Sequence, residues 1–295
     1  MRLDVEFSSE GTDCAGWLYP ASQAGEAGPA IVMAHGFGGV RGMDLPAFAE
    51  HFAAAGFTTL LFDYRYFGDS GGMPRQRLSP SAQLEDFRNA ITWLSMWDEV
   101  DPDRIGGWGT SFSGAHMLHL AAFESRLKAV VAQVPAASAW DNAKRFMDKE
   151  SFAMLRRTLG DERSAQYAGE AVSYLPITAP AGQPCALPDV DTYTNLMKAQ
   201  AETPTFRNEI TLLSMEEILT YVPAYTAELI DQTPLLMILA ERDTLTPIDL
   251  ALKAFDQVSS PKELLRLDVQ HHGVYEEPAF SVAASSAAAW FGKYL

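Results

Sequence analysis

The residues with the most chemistry per position lie at Gly109-Thr110-Ser111-Phe112-Ser113-Gly114. The run fits small-x-Ser-x-small and reads as the end of a strand, a tight turn and the start of a helix. A serine on such a turn sits in a strained backbone conformation, where bulky neighbours two positions away would collide. The turn lifts the hydroxyl above the sheet. It also aims the N-terminus of the following helix, and the N–H of Phe112, at whatever the serine attacks. The match alone is weak, because glycine and serine are common, so its weight depends on what else the chain supplies.

A serine hydroxyl is scarcely ionised at neutral pH and needs a base, and the base needs an orienting carboxylate. In an alternating strand–helix chain these groups belong at the carboxyl ends of strands. Two such ends carry them, in the order serine, acid, histidine. Asp243 follows the apolar run 234–240, and the pair His271-His272 follows the run 262–269. Rivals exist for each role. Asp63 also ends a strand, but Asp63 and Arg65 fit structural turn contacts, and Asp63 precedes the serine. Glu241 points the wrong way if Asp243 faces the site, and Asp268 is expected inside a strand. Ser113 falls within the helix, where a hydroxyl is commonly tied to a carbonyl. The loop His35-Gly36-Phe37-Gly38-Gly39 can turn backbone N–H groups inward. The N–H groups of Phe37 and Phe112 then form a two-donor hole for an oxyanion, with His35 holding the loop. His116 and His119, three apart on one helix, lack further ligands at metal spacing. Trp93, Met96 and Trp97 read as core and rim, and no phosphate-binding glycine loop appears.

The elements that must carry these groups alternate. An expected hairpin (residues 2–8 and 12–19) turns at Ser9-Glu10-Gly11, and a Gly- and Ala-rich turn covers 21–29. Strands follow at 30–34, 57–62, before Ser111, and at 128–134, with helices at 44–55, 80–97 and 112–124. Short continuous apolar runs such as Ala30-Ile31-Val32-Met33-Ala34 mark strands buried on both faces. Leu84, Phe87, Ile91 and Leu94 form one helical stripe. The rhythm predicts an α/β fold, a parallel sheet with helices on both faces. It breaks over 136–230: irregular helix to 175, a proline-rich loop over 176–190, then helix at 191–200 and 214–230. It resumes with strands at 234–240 and 262–269 and helices at 247–257 and 278–294. Residues 1–135 and 231–295 thus form a core, and 136–230 a cap or lid.

Three stretches, His35 to Gly39, Asp63 to Gly72 and Trp108 to Gly114, make the chain resemble the α/β-hydrolase family, in its esterase and dienelactone-hydrolase-like branch with a helical cap. Asp63-Tyr64-Arg65-Tyr66-Phe67-Gly68-Asp69-Ser70-Gly71 is similar to the family's D-x-R-G-x-G-x-S run, with Tyr66 where glycine is usual. His271-His272-Gly273-Val274-Tyr275-Glu276 is similar to the H-F-D-x-Y-E of one branch, which points to His271 as the base. The resemblance implies an eight-stranded, mostly parallel sheet, no metal and no organic cofactor. It also implies a Ser111–His271–Asp243 triad that cleaves a carboxylic ester of a small-molecule acyl substrate. Thioesters, amides and carbon–carbon bonds beside a carbonyl stay open, as does a ligand-binding homologue without turnover. Haloalkane dehalogenation is disfavoured, because it needs a carboxylate at the elbow.

Composition sets the outer bounds. The 295 residues are 47% hydrophobic, enough for one large core, and the formal net charge is −16. That charge argues against nucleic acid or an anionic membrane as partner. Two cysteines, Cys14 and Cys185, make no disulfide framework and suit the cytoplasm. The opening residues lack an apolar h-region, so no signal peptide is expected. No run reaches the roughly 18 apolar residues of a membrane span. Oligomeric state is left open, a homodimer included.

Overall fold

The computed structural model describes residues 2–21 and 27–295; residues 22–26 of the expected Gly- and Ala-rich turn lie outside the described residues. The chain opens with the hairpin β1 (Leu3–Ser9) and β2 (Thr12–Tyr19). Its two turn residues, Glu10 and Gly11, both have positive φ, the geometry that matches the twist of paired strands. Then follow β3 (Gly28–Ala34), α1 (Leu45–Ala54), β4 (Thr58–Phe62), α2 (Pro80–Leu94), β5 (Val100–Thr110), α3 (Phe112–Phe123) and β6 (Leu127–Gln133). Between β6 and the next sheet strand lie α4 (Ala139–Ala143), α5 (Lys149–Tyr167), β7 (Tyr174–Leu175), α6 (Val190–Glu202), β8 (Ile210–Thr211) and α7 (Ser214–Leu219), and a 3-10 turn over Pro223–Leu229. The chain closes with β9 (Leu235–Ala240), α8 (Ile248–Gln257), β10 (Lys262–Leu267), a 3-10 turn over His271–Tyr275 and α9 (Ala279–Tyr294).

Eight strands form one sheet in the order β1-β2-β4-β3-β5-β6-β9-β10. The β1–β2 and β2–β4 pairs are antiparallel and the remaining pairs parallel. Every residue of β4 and β9 is buried, which is why these strands read as unbroken apolar runs. Alternation along β3 feeds two cores. Ala30, Val32 and Ala34 face α2, α3 and α8, together with Phe87, Ile91 and Leu118. Ile31 and Met33 face α1 and α9, with Phe48, Phe52, Trp108 and Phe291. Each of the buried Val, Leu, Ile, Met and Phe side chains among these contributes about 1.5–3 kcal/mol. The Ala-rich stretch of α9 is a packing face: Ala283, Ala284 and Ala287 are fully buried. Small side chains there let the helix lie close to the sheet.

Three features differ from the sequence reading, and a fourth bears on the irregular position it marked. The segment after α5 carries a two-stranded ribbon, β7 with β8, too short for any periodicity to show. The helix expected over 214–230 is the short α7 followed by the 3-10 turn beginning at Pro223, because proline cannot continue an α-helix. The strand expected over 262–269 stops at Leu267, so Asp268 lies beyond it; it is an exposed partner of Arg242. Tyr66, which stands where the resemblance leads one to expect glycine, has a left-handed backbone, at φ +75°. Its N–H donates to Gly71 O (2.7 Å) and its carbonyl accepts from Gln76 N (2.9 Å), which holds that strained turn closed.

Candidate active site

Because β3 to β6, β9 and β10 run parallel, their carboxyl ends share one edge of the sheet. His35, Asp63, Ser111, Asp243 and His271 all follow strands on that edge. Ser111 joins β5 to α3 with φ +57° and ψ −117°, a conformation that costs a non-glycine residue about 1–3 kcal/mol. The fold holds it there by backbone bonds. Ser111 N–H donates to Gln133 O (2.9 Å), and its carbonyl accepts from Ala115 N (3.1 Å) and Ala136 N (3.0 Å). The small residue two positions before the serine is sterically required: a Cβ on Gly109 would lie 2.3 Å from Ser113 O. Ser113 is fully buried beneath the turn. Its hydroxyl bonds no carbonyl among the described residues, so it is not tied to one as the sequence suggested.

Asp243 and His271 meet at the same edge of the sheet. His271 Nδ1–H donates to Asp243 Oδ2 at 2.7 Å, with the two side chains 4% and 2% exposed. The same carboxylate accepts Leu245 N (2.9 Å) and Thr246 N (2.7 Å) on Oδ1, and Thr246 Oγ1 (2.8 Å) on Oδ2. Burial pushes the Asp243 carboxyl upward, but the neighbouring His271 and the Thr246 bonds outweigh it and hold the carboxyl below its usual range. With Nδ1 committed, Nε2 of His271 keeps no hydrogen-bond partner among the described residues. His272 turns the other way. Its Nε2–H donates to Thr192 Oγ1 (3.2 Å), and its ring stands edge-on to His271 at 5.1 Å between centroids. Burial, then the neighbouring His271, lowers its pKa to about 3. The structure therefore pairs His271, not His272, with Asp243.

The loop after β3 closes over the elbow. A Cβ on Gly36 would sit 3.1 Å from Ser111 Cβ and 3.2 Å from Thr110 O, so the two turns touch through backbone. His35 is buried and its Nδ1–H donates to Gly36 O (3.0 Å), the holding role read from the sequence. The Phe37 N–H donates to no other described residue. Phe112 opens α3, where the first N–H groups have no intrahelical acceptor. The two rings pack edge to face at 5.6 Å, which places the two turns side by side.

The rival groups are accounted for by structure. Asp63 accepts Arg41 N (2.6 Å) and Asp69 N (3.1 Å) and pairs with the Arg41 guanidinium. Arg65 Nε donates to Asp86 Oδ1 (2.7 Å). Both act as turn anchors, as expected from the sequence. Glu241 is exposed near Arg266. His116 is fully buried, with Nδ1 2.7 Å from the Tyr221 hydroxyl and Nε2 2.9 Å from Gln83 Oε1. No group of three or more His, Cys, Asp or Glu among the described residues is placed to hold a metal ion.

Sequence reasoning missed two members of this neighbourhood. Thr246 Oγ1 lies 2.8 Å from Asp243 Oδ2, 3.1 Å from His271 Nδ1 and 3.1 Å from Val134 O. Its signal was present: Asp243 and Thr246 are three apart, the spacing of a side chain that folds its own turn. The Tyr275 hydroxyl bonds Thr110 Oγ1 at 2.6 Å and so ties the histidine turn to the residue before Ser111. Nothing local in the sequence points to that contact.

Two cavities open from Ser111. The larger, about 430 Å³, is walled by apolar side chains including Phe112, Phe146, Met147, Met215, Ile218 and Leu219. The smaller, about 80 Å³, is bounded by His271, His272, Tyr275, Asp44, Thr192 and Asn195. Phe37 and Ser111 border both. No helix among the described residues is long and apolar enough to cross a membrane.

Comparison with known proteins agrees with this architecture. The chain is 36% identical over 252 residues to the quorum-quenching protein AidA of Acinetobacter baumannii (strain MDR-ZJ06), covering 85% of this chain and 82% of that one. It is 32% identical over 285 residues to the thiohydrolase aneE of Aspergillus aculeatus, covering 94% and 88% respectively. The crystal structure of the α/β hydrolase GrgF from Penicillium sp. sh18 superposes with a TM-score of 0.86 at 27% identity, over 100% of this chain and 99% of that one. The family model for the alpha/beta hydrolase fold matches residues 29–278, from β3 through the histidine turn. The sheet order, the strained serine turn after β5 and this match lead to one assignment: the chain belongs to the α/β-hydrolase family.

Proposed function

We propose that the protein is a serine hydrolase of carboxylic esters, with Ser111 as nucleophile, His271 as general base and acid, and Asp243 as its orienting carboxylate. The observation that carries this reading is the 2.7 Å His271–Asp243 bond together with a strained Ser111, with Ser111 and His271 bordering the same small chamber. In the first half-reaction Ser111 Oγ bonds the acyl carbon and its proton passes to His271 Nε2. The carbonyl oxygen becomes an oxyanion held by the N–H groups of Phe37 and Phe112. The C–O bond to the leaving group then breaks and His271 returns the proton to the departing oxygen. Water repeats the sequence in reverse roles and releases the acid. Each oxyanion donor is worth about 3 kcal/mol of transition-state stabilisation, and Asp243 fixes the imidazole tautomer that can accept the serine proton.

The segment 136–230 acts as a cap over this edge. Its residues, Phe146, Met147, Met215 and Ile218 among them, make up most of the apolar residues lining the large cavity. Unpaired Cys14 and Cys185 fit a reducing, cytoplasmic setting. A thioester is the second reading, favoured by the relative named thiohydrolase. The same triad and hole serve it, since only the leaving atom changes. Labelling with a fluorophosphonate, followed by intact mass, tests the common step. One adduct on wild type and none on Ser111→Ala is the expected result. A folded wild-type protein that takes no adduct would remove the reading. A panel of matched esters and thioesters of increasing acyl length then separates the two bond classes and sizes the large cavity.

A further inference from the structure

The two cavities around Ser111 differ in position as well as size. His271 borders only the smaller one. The group that leaves the acyl carbon must receive its proton from His271, and the incoming group must give one to it. Both therefore belong on the His271 side, and the acyl chain belongs in the large apolar cavity.

The hydrogen-bonding inventory of the small chamber is lopsided. Several donors are already committed. His271 Nδ1–H goes to Asp243, His272 Nε2–H to Thr192 Oγ1, and the Thr192 hydroxyl to Asp189 Oδ2 (2.8 Å). Asn195 Nδ2 donates to Asp191 O (2.9 Å), and the Tyr275 and Thr110 hydroxyls bond each other. Acceptors are left over. Asn195 Oδ1 accepts no bond from the described residues. Asp44, exposed at the chamber rim, stands at the N-cap of α1 but caps nothing. Its left-handed backbone, at φ +55°, turns it away from the helix, and it makes no ion pair with the described residues. The charges around it are Lys198 on α6 against Glu202 and Glu276, so the rim is net acidic. Left-over acceptors are satisfied by a ligand that brings donors or positive charge.

Resting on the serine-hydrolase reading, we infer that the small chamber is the leaving-group site. There Asp44 and Asn195 select alcohols that carry a further hydroxyl or a cationic group, and disfavour anionic ones. The atoms balance as in ordinary acyl transfer. The acyl carbon exchanges its bond to the alcohol oxygen for one to Ser111 Oγ, and the serine proton leaves on the alcohol. Asp44 and Asn195 bind the far end of that alcohol and take no part in the proton movement.

The test holds the acyl group constant and varies the alcohol: butanoyl esters of 1-propanol, glycerol, choline and glycolate, on wild type, Asp44→Asn and Asn195→Ala. Expected for wild type is a kcat/KM about tenfold higher for the glycerol and choline esters than for the propyl ester, through KM, with glycolate lowest. In Asp44→Asn the choline-to-glycolate ratio should collapse toward unity, and Asn195→Ala should lower the glycerol-to-propyl ratio. A wild-type enzyme indifferent to the alcohol's charge and hydroxyls would overturn the inference, as would an unchanged ranking in a folded Asp44→Asn. Turnover of the propyl ester without the ranking removes this inference alone. No turnover of any ester, together with no fluorophosphonate adduct on Ser111, removes the hydrolase reading and the inference with it.

Discussion

Replacing Asp243 with asparagine tests the catalytic geometry most directly, because the structure separates what that side chain holds from what it does. Oδ1 accepts two backbone N–H groups, at 2.9 Å and 2.7 Å, and these bonds fix the loop Asp243 to Thr246. An asparagine carbonyl can keep both. Oδ2 accepts His271 Nδ1–H at 2.7 Å and the Thr246 hydroxyl at 2.8 Å, and an amide NH2 can accept neither. The imidazole must then present an unprotonated Nδ1 to the amide, which puts its proton on Nε2, the nitrogen that the proposed mechanism needs free to take the Ser111 proton. A base that already carries the proton it is meant to take is no base. The expected loss is about 10⁴ in kcat, roughly 5.5 kcal/mol of barrier, with KM little changed. Steady-state hydrolysis of a short ester gives the rate, fluorophosphonate labelling should slow in parallel, and circular dichroism checks the fold. A folded Asp243→Asn variant within tenfold of wild-type kcat would refute the assignment of Asp243 as orienting carboxylate. The same carboxyl carries a stability signature. Its folded-state pKa lies below the ordinary 3.8, so its contribution is fully present above about pH 4 and is lost as pH falls through the folded value. Wild type should therefore lose more stability on acidification below that point than Asp243→Asn does, read by urea unfolding across pH.

His271→Ala should abolish turnover to the level of Ser111→Ala, whereas His272→Asn should cost less than tenfold in kcat, since His272 faces Thr192; equal losses in a steady-state assay would reverse that assignment. Gly109→Ala would force a Cβ to 2.3 Å from Ser113 O, and about 2–4 kcal/mol of stability should disappear in urea unfolding; a loss under 0.5 kcal/mol would show that the turn relaxes freely. Arg41→Met leaves the Asp63 carboxylate buried without its ion-pair partner and should cost about 3–5 kcal/mol, measured the same way. Tyr221→Phe strips the partner from His116 Nδ1 and should cost about 1–3 kcal/mol of stability, with Ser111 still accepting fluorophosphonate.

Much of the fold was legible in the sequence because burial on both faces leaves a local mark. Ala30 to Ala34 and Leu235 to Ala240 had to be continuously apolar to sit between two helix layers, and they read as strands for that reason. The serine turn was legible for a steric reason. A positive φ at Ser111 and the close approach of α3 demand small neighbours, and Gly109 and Gly114 supply them within six residues. Asp243 was visible because parallel strands deliver their carboxyl ends to one edge. What depends on contacts between distant segments was not legible. His271 and His272 are chemically identical neighbours. Only the direction of the 3-10 turn, fixed by packing and by the Tyr275–Thr110 bond across 165 positions, sends one to Asp243 and the other to Thr192. The division of the opening into a large apolar chamber and a small acceptor-rich one was equally hidden, since its walls come from α1, α4, α6, α7 and the loops around Ser111. The sequence by itself determined the alternation of strands and helices, the tight turn at Ser111 and the position of Asp243 after β9, because these are local consequences of sterics and burial. The tertiary structure alone decided which histidine meets Asp243, which N–H groups stay free and how the space around Ser111 divides, because those are set by where remote residues come to rest.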